Sequence, residues 1–273
     1  MSRIAAVFQR LAQTDRQALI MYLTVGYPTM HAAREIVPAL VAAGADMIEL
    51  GVPFSDPLAD GVTIQKATQQ ALANKVNVRH CLQTVRQLRA DGLQVPLIFM
   101  GYYNPLLQYG LEAFARDAAE AGADGFIVPD LPPEEAGALH DACRVYDLDL
   151  IFFVAPTSTD ARIKQVAALA SGFIYCVSLT GVTGARSTIA ANLPHFLARV
   201  RNETKVPLAV GFGVSQPSQA QEVASVADGV IVGSALINLV EQSVEHGLDE
   251  VKAFTHSLRT AMDQPKSRDV GSS

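Results

Sequence analysis

The sequence predicts a single-domain (β/α)8 TIM barrel, and three observations support this fold class. Eight short apolar runs rich in Val, Ile and Phe alternate with segments of helical period, which is typical of a parallel sheet with helical connections. Several helical segments end in Gly just before the next run, where Gly can adopt the left-handed conformation that ends a helix. The length of 273 residues suits one barrel of about 250 residues. An open doubly wound sheet is disfavoured because no GxGxxG motif follows the first run.

Each predicted strand is a short apolar run that ends at a turn signal. The runs place the strands at 18–26, 46–51, 95–102, 125–130, 148–156, 172–178, 206–213 and 228–233. Eight runs of similar size favour closure into one barrel. Alternation in the second run puts Met47, Glu49 and Gly51 on one side of the strand and Ile48 and Leu50 on the other.

Helical periodicity predicts the segments that connect the strands. Examples lie at 31–44, 105–122 and 160–170. Extra helices are expected at the N-terminus (2–12), after strand two (63–74 and 78–91) and after strand eight (from Ser234). The barrel domain is expected to span 1–263, and the polar tail at 264–273 is expected to be disordered.

Composition narrows the class of protein. With 49% hydrophobic residues and 18% charged residues, the chain can form a large core. The net charge of −6 and the scattered Lys and Arg residues argue against nucleic-acid binding. The absence of a signal core or a membrane-length apolar run predicts a cytoplasmic protein. Cys81, Cys143 and Cys176 are expected to be reduced core residues.

The polar residues at predicted strand ends are the catalytic candidates, because barrel enzymes build their sites at the C-terminal ends of the strands. Strand two offers Glu49, its loop offers Asp56 and Asp60, and strand six offers Tyr175. Lys and His residues lie on helices or loops away from these ends, so neither a Schiff-base lysine nor a zinc cluster is indicated. Carboxylate acid–base catalysis without a metal or cofactor is therefore expected.

Glu49 is the strongest candidate because it interrupts a run that is typical of a buried strand. If Ile48 and Leu50 pack on helices, Glu49 points into the barrel mouth, where apolar surroundings raise its pKa and suit it to proton transfer near neutral pH. The alternative is a Glu paired with an Arg. Asp60 and Asp56 alone could be turn residues, and a Tyr at position 175 could simply fill the core.

Glycines after strands six, seven and eight predict a phosphate site. They occur at 180–185, 211–213 and 233–234, and a helix begins at Ser234. Backbone N–H groups and a helix N-terminus bind phosphate at this place in barrels. Tight turns are the alternative reading of these glycines. The segment 179–194 is long for a connection and is expected to form a mobile lid, with an idle surface loop as the alternative.

Four motifs together resemble the family of tryptophan synthase α subunits. They are IELGVPFSDPLADG at 48–61, GVTGAR at 181–186, GFGVS at 211–215 and GSALI at 233–237, and the similarity runs from about residue 15 to 262. The resemblance implies a carbon–carbon lyase of tryptophan biosynthesis. Such an enzyme cleaves indole-3-glycerol phosphate to indole and glyceraldehyde 3-phosphate by retro-aldol chemistry.

The resemblance also implies roles for the matching residues. Glu49 would be the general acid–base group, and Asp60 would accept a hydrogen bond from the indole N–H. The indole pocket and its lid would be formed by Tyr22, Met100, Tyr102, Ile127, Tyr175, Thr183 and Phe212. The phosphate would bind at Gly184, Gly213, Gly233 and Ser234.

A partner is implied as well, the β subunit of tryptophan synthase, in an α2β2 heterotetramer. The expected contact residues are Pro53, Asp56, Pro57, Asn104 and Pro132. This chain would carry no cofactor, because the pyridoxal phosphate belongs to the β subunit. The sequence departs from the family pattern at Val62, where Pro is usual, at Tyr22, where Phe is common, and at Leu179, where some relatives have a basic residue.

Three other functions remain open at this point. One is an isomerase of a phosphoribosyl compound, which is disfavoured because the first strand carries no acid, base or thiol. Another is a binding subunit that has lost its own catalysis, which is disfavoured because both carboxylates are kept. The third is an indole-releasing enzyme that acts without a partner.

Overall fold

The structure, a computed structural model, describes residues 1–177, 186–211 and 213–264. Its strands within these ranges are β1 Ala18–Thr24, β2 Met47–Gly51, β3 Leu97–Met100, β4 Gly125–Ile127, β5 Asp149–Ile151, β6 Phe153–Val154, β7 Ile174–Val177, β8 Leu208–Gly211 and β9 Gly229–Val232. All are parallel and form one sheet with the order β5-β4-β3-β2-β1-β9-β8-β7-β6.

The two edges of this sheet belong to one stretch of chain, which closes the barrel. β5 pairs with β4 and β6 pairs with β7, and Phe152 alone separates β5 from β6. Counted together, β5 and β6 form one of eight strands around the barrel, and the predicted (β/α)8 TIM barrel is confirmed. The strand predicted as continuous over 148–156 is interrupted at this point, and the other predicted strands extend one to three residues too far at one or both ends.

The helices of the described ranges surround the sheet. They are α1 Arg3–Ala12, α2 Ala33–Ala42, α3 Val62–Ala73, α4 Val78–Ala90, α5 Tyr103–Tyr109, α6 Leu111–Ala121, α7 Gly137–Val145, α8 Asp160–Leu169, α9 Arg186–Arg201, α10 Pro217–Ala224, α11 Ser234–His246 and α12 Asp249–Met262, with a 3₁₀ turn at Pro133–Glu135. The expected extra helices at the N-terminus and after strands two and eight are present as α1, as α3 with α4, and as α11 with α12.

Two predictions about connections were wrong. The helix expected at 105–122 is broken at Gly110, whose φ of 96° lies in the region that glycine tolerates best. The loop expected at 179–194 is shorter, because α9 already begins at Arg186 and contains Pro194. Residues 178–185 of that loop lie outside the described residues.

Side chains that point into the barrel form a core of their own. This inner core contains Ile20, Met47, Ile98, Ile127, Ile151, Ala209 and Ile231. Ile4, Phe8 and Leu11 of α1 close the N-terminal end of the barrel, with the ring centroids of Phe8 and Phe173 6.0 Å apart. Because these side chains fill the N-terminal end of the barrel interior, the C-terminal ends of the strands are where we look for a ligand site.

The outward-facing side chains form a second, larger core against the helices. Ile48 and Leu50 of β2 belong to this outer core, whereas Met47 belongs to the inner one. The alternation predicted for 46–51 is therefore confirmed. Glu49, between the two outward residues, faces the interior.

Three aspartates hold neighbouring strands together at the N-terminal end of the barrel. Gly44, with φ of 112°, follows α2, and Asp46 then accepts a hydrogen bond of 2.9 Å from the backbone N–H of Leu19. Arg259 holds the same carboxylate at 3.2 Å. Asp124 and Asp228 repeat the arrangement with Arg89 and Arg201. These contacts fix the register between neighbouring strands at the end of the barrel opposite the candidate site.

Candidate active site

Glu49 lies at the centre of the barrel mouth, where the described part of the chain offers it no polar partner. It stands opposite Tyr22 of β1 and Ile98 of β3, and its side chain is fully buried. Neither Oε1 nor Oε2 has a hydrogen-bond partner among the described residues. The ion pair with an Arg, which the sequence left open, is not formed in this part of the chain.

Burial changes the acidity of this group. Because no hydrogen bond or cation offsets the loss of water, burial raises the pKa of Glu49 from 4.5 to about 8. A carboxyl with this pKa exchanges a proton near neutral pH, as a general acid or base must. The geometry expected of Glu49 from strand alternation thus coincides with the acidity that acid–base chemistry requires.

The raised pKa predicts that Glu49→Gln stabilises the fold, and more so at alkaline pH. The folded state binds a proton that the unfolded state has already lost between pH 4.5 and about 8, so the wild-type free energy of unfolding falls as pH rises through that window. Each pKa unit corresponds to about 1.4 kcal/mol, so the advantage of the variant over the wild type should be larger at about pH 9 than at about pH 6 by an amount of that order. Denaturant unfolding at about pH 6 and about pH 9 measures the difference. Parallel pH curves for the two proteins would contradict the raised pKa.

Asp60 approaches the mouth from the loop between β2 and α3. Its backbone N–H donates to the Pro57 carbonyl at 3.1 Å, and its carbonyl accepts from Gln65 Nε2 at 2.9 Å. Partial burial raises the pKa of Asp60 to about 6, and a hydrogen bond from Tyr102 opposes the rise. Tyr102 also accepts from the Ala59 N–H at 2.9 Å, so this tyrosine anchors the loop.

A small cavity opens between these loops. Of the side chains predicted for the ring pocket, Tyr22, Met100 and Tyr102 line it, together with Asp60. Ile127 lies deeper in the inner core. Tyr175 is half-buried and packs against the inner core; burial raises its pKa, and the charge of Glu49 adds to the rise. Phe212 and Thr183 lie outside the described residues.

The cavity also contains residues that the sequence analysis did not select. They are Val52, Phe54, Pro57, Thr68, Gly101 and Pro129. Phe54 belongs to the motif at 48–61, and its ring centroid lies 5.5 Å from that of Tyr102, so its aromatic character was an available signal. Thr68 is inside α3, and nothing in its sequence context distinguishes it from an ordinary helix residue.

The predicted phosphate residues that are described follow two neighbouring strands, β8 and β9, and β9 also pairs with β1. Gly213 follows β8 with φ of 62°, and no atom lies within 4 Å of where its Cβ would be. Gly233 follows β9 and precedes α11, whose first residue is Ser234. This 13-residue helix begins directly after the C-terminal end of β9, and the free N–H groups of a helix start suit an anion. Gly184 lies outside the described residues.

The residues predicted to meet a partner differ in exposure. Asp56 and Asn104 are exposed, Pro57 and Pro132 are half-buried, and Pro53 is buried. Two further apolar side chains near the same loop are strongly exposed and were not predicted as contacts, namely Leu58 (93%) and Val62 (83%). Exposed apolar side chains that lie together commonly mark an interaction surface.

The remaining expectations concern cysteines, metals and membranes. Cys81, Cys143 and Cys176 are free and buried, as predicted. Within the described ranges, no group of three or more His, Cys, Asp or Glu residues is arranged to hold a metal ion. Among the helices described, none combines the length and hydropathy needed to cross a membrane.

Known proteins with similar sequences and folds have one description in common. The family model described as tryptophan synthase alpha chain matches residues 8–264. The chain is 60% identical over 243 residues to the tryptophan synthase alpha chain of Roseiflexus sp. (strain RS-1), covering 89% of this chain and 93% of that relative. It is 54% identical over 266 residues to that of Chloroflexus aurantiacus, covering 97% and 100%. The crystal structure of tryptophan synthase subunit alpha from Legionella pneumophila str. Paris has a TM-score of 0.90 at 39% identity, covering 96% and 99%.

Proposed function

The chain belongs to the family of tryptophan synthase alpha chains, lyases that cleave indole-3-glycerol phosphate to indole and glyceraldehyde 3-phosphate, and we propose that Glu49 and Asp60 perform this cleavage. The observation that carries the proposal is the fully buried carboxyl of Glu49, which has no hydrogen-bond partner among the described residues and stands opposite Tyr22, a residue that lines the same cavity as Asp60. Membership of the family sets aside the phosphoribosyl isomerase that the sequence left open.

Glu49 moves the proton in both halves of the reaction. With a pKa of about 8, its carboxyl is mostly protonated at neutral pH and donates a proton to the indole ring carbon that bears the side chain. The resulting carboxylate then takes the proton of the glycerol hydroxyl as the carbon–carbon bond breaks and the electron pair returns to the ring. The carboxyl is thereby restored at the end of the cycle.

Asp60 acts on the other end of the ring. Protonation of the ring carbon places positive charge on the indole nitrogen, and a carboxylate that accepts the N–H hydrogen bond stabilises that charge. The pKa of Asp60, about 6, leaves it mostly charged at neutral pH. Its lower pKa, compared with that of Glu49, separates the two carboxyls into a charge stabiliser and a proton carrier.

The remaining binding roles follow the same orientation of the substrate. The ring lies among Tyr22, Met100, Tyr102, Ile127, Tyr175 and Phe212. The phosphate binds to backbone N–H groups at Gly184, Gly213, Gly233 and Ser234, and Thr183 closes the site. Gly233 lies beside Tyr22, since a Cβ built on the glycine would be 3.7 Å from Tyr22 Cβ. This closeness supports a phosphate site next to the ring pocket.

A family of alpha chains implies a beta-subunit partner in general, and the finer assembly is part of the proposal. We assign it as an α2β2 heterotetramer in the cytoplasm, with pyridoxal phosphate held only by the β subunit. The proposed contact surface contains Asp56, Pro57, Asn104 and Pro132, with Pro53 beneath it. The exposed side chains of Leu58 and Val62 support an apolar contact there. The division into a domain at 1–263 and a tail at 264–273 also stays a prediction.

An assay of indole release from indole-3-glycerol phosphate tests the function. The purified chain is expected to release indole without metal or cofactor, and to do so faster when the β subunit is added. No indole from the chain alone, combined with activation of the β subunit, would instead identify a subunit that has lost its catalysis. Release of indole without any complex on size-exclusion chromatography at micromolar concentration would identify an enzyme that acts alone.

A further inference from the structure

Two hydroxyl groups pair with each other on the inner wall of the mouth. Tyr22 and Thr24 both lie on β1, two residues apart, and therefore on the same side of the strand. Tyr22 Oη and Thr24 Oγ1 are 3.2 Å apart. Thr24 is fully buried and Tyr22 is 5% exposed, so water does not compete for this hydrogen bond.

The position of the Tyr22 hydroxyl is determined by a neighbouring glycine. Tyr22 stands opposite Glu49, and its ring extends toward the end of β2, where Gly51 has no side chain. A Cβ built on Gly51 would lie 2.2 Å from Tyr22 Oη. The hydroxyl thus fills the space that a side chain at position 51 would take, and Tyr22 lines the same cavity as Asp60.

This arrangement makes the hydroxyl a fixed part of the pocket wall. If the phenol ring turned away, it would separate the two hydroxyls and leave both buried without a partner, which is unfavourable. Gly51 and Gly233 lie close to the tyrosine, since a Cβ built on Gly51 would be 2.2 Å from Tyr22 Oη and one built on Gly233 would be 3.7 Å from Tyr22 Cβ, and this limits movement of the ring. A substrate ring bound in the cavity therefore contacts an oxygen atom whose position is fixed.

We propose that the Tyr22 hydroxyl, held by Thr24, is a specificity-determining group that excludes substituents from one position of the substrate's indole ring. The inference rests on the proposed function, because it assumes that the ring binds in the cavity beside Asp60. The excluded position is the one that faces the Tyr22–Thr24 pair. The rest of the cavity wall includes Met100, Tyr102 and Asp60.

The test is Tyr22→Phe, assayed in the reverse direction with glyceraldehyde 3-phosphate and substituted indoles. Unsubstituted indole is compared with each of the four indoles that carry one methyl group on the benzene ring. We expect the kcat/KM of one isomer, relative to indole, to rise about tenfold in the variant, since accommodation of one methyl group in an apolar pocket is worth about 10- to 200-fold. The ratios of the other isomers should change by less than about twofold.

Two further variants separate a specificity role from a structural one. Thr24→Val keeps the Tyr22 hydroxyl but removes its hydrogen-bond partner. The kcat/KM of the same isomer, relative to indole, should therefore rise, but by less than in Tyr22→Phe. Tyr175→Phe removes a hydroxyl from the other tyrosine of the mouth, whose Oη lies 2.5 Å from a Cβ built on Gly211. It should not favour the isomer that Tyr22→Phe favours.

The outcomes distinguish this inference from the function on which it rests. If wild-type protein forms no indole-3-glycerol phosphate from indole and glyceraldehyde 3-phosphate, the proposed function fails and the inference fails with it. If the wild-type protein is active but Tyr22→Phe raises no isomer's ratio, or raises all of them equally, only the inference is overturned. A selective gain for one isomer that Thr24→Val shares in part supports it.

Discussion

Replacement of Glu49 by Gln is expected to slow indole release by about 10²- to 10⁴-fold, the usual contribution of a positioned acid–base group. Gln has nearly the same shape but neither donates nor accepts the reacting proton. Both oxygens of Glu49 are unpaired among the described residues, so the substitution breaks no hydrogen bond of this part of the fold. Steady-state kinetics with indole-3-glycerol phosphate should show the loss in kcat, with a smaller effect on KM.

A matched control is Glu112→Gln, at an exposed position in the first turn of α6, on the outside of the barrel. It should retain wild-type kcat. Because Glu49→Gln is also expected to stabilise the fold above neutral pH, loss of activity together with a higher unfolding free energy would identify a chemical defect. Near wild-type cleavage by Glu49→Gln would show that another group carries the proton.

Replacement of Asp60 by Asn is expected to lower kcat/KM by about 10²- to 10³-fold, the usual cost of losing one group that stabilises charge in the transition state. The neutral amide can still accept a hydrogen bond from the indole N–H, but it cannot balance the positive charge that forms on the ring. Measurement of kcat/KM against pH gives a second readout. The wild-type value should fall as pH drops through about 6, because Asp60 is then protonated.

In Asp60→Asn, kcat/KM should no longer fall as pH drops through about 6 (the acid limb of the pH profile). It should still fall above about pH 8, where Glu49 loses its proton. Asp147→Asn is a suitable control, since Asp147 is exposed and its φ of 54° is one that Asn also tolerates. It should leave both limbs unchanged. An Asp60→Asn protein with an unaltered acid limb would show that some other group titrates near pH 6.

Local pattern was enough to predict the main features of the barrel. The period of two in β2 placed Glu49 on the inner face because neighbouring residues of a strand point to opposite sides whatever they pack against. The glycines after α2 and α6 marked the helix ends because their backbone conformation is a local property. The motif at 48–61 led to both carboxylates, and the family comparison supports the lyase that it implied.

The interruption of strand five at Phe152 and the start of α9 at Arg186 were not predictable in the same way. Both depend on how a segment pairs or packs with distant parts of the chain. A run such as 148–156 carries the same apolar signal whether it forms one strand or two. The same limit applies to helix 105–122, where the sequence shows a glycine but not the φ of 96° at which the chain turns.

Sequence alone determined the fold class, the inward direction of Glu49 and the family, because periodicity and motif lie within short stretches of chain. Tertiary structure alone decided that Glu49 has no partner among the described residues, that Thr68 reaches the cavity and that Tyr22 lies over Gly51 beside Thr24. The physical reason is that a pKa, a cavity wall or a buried hydroxyl pair depends on which atoms surround a group. Those atoms come from strands and loops that lie far apart in the sequence.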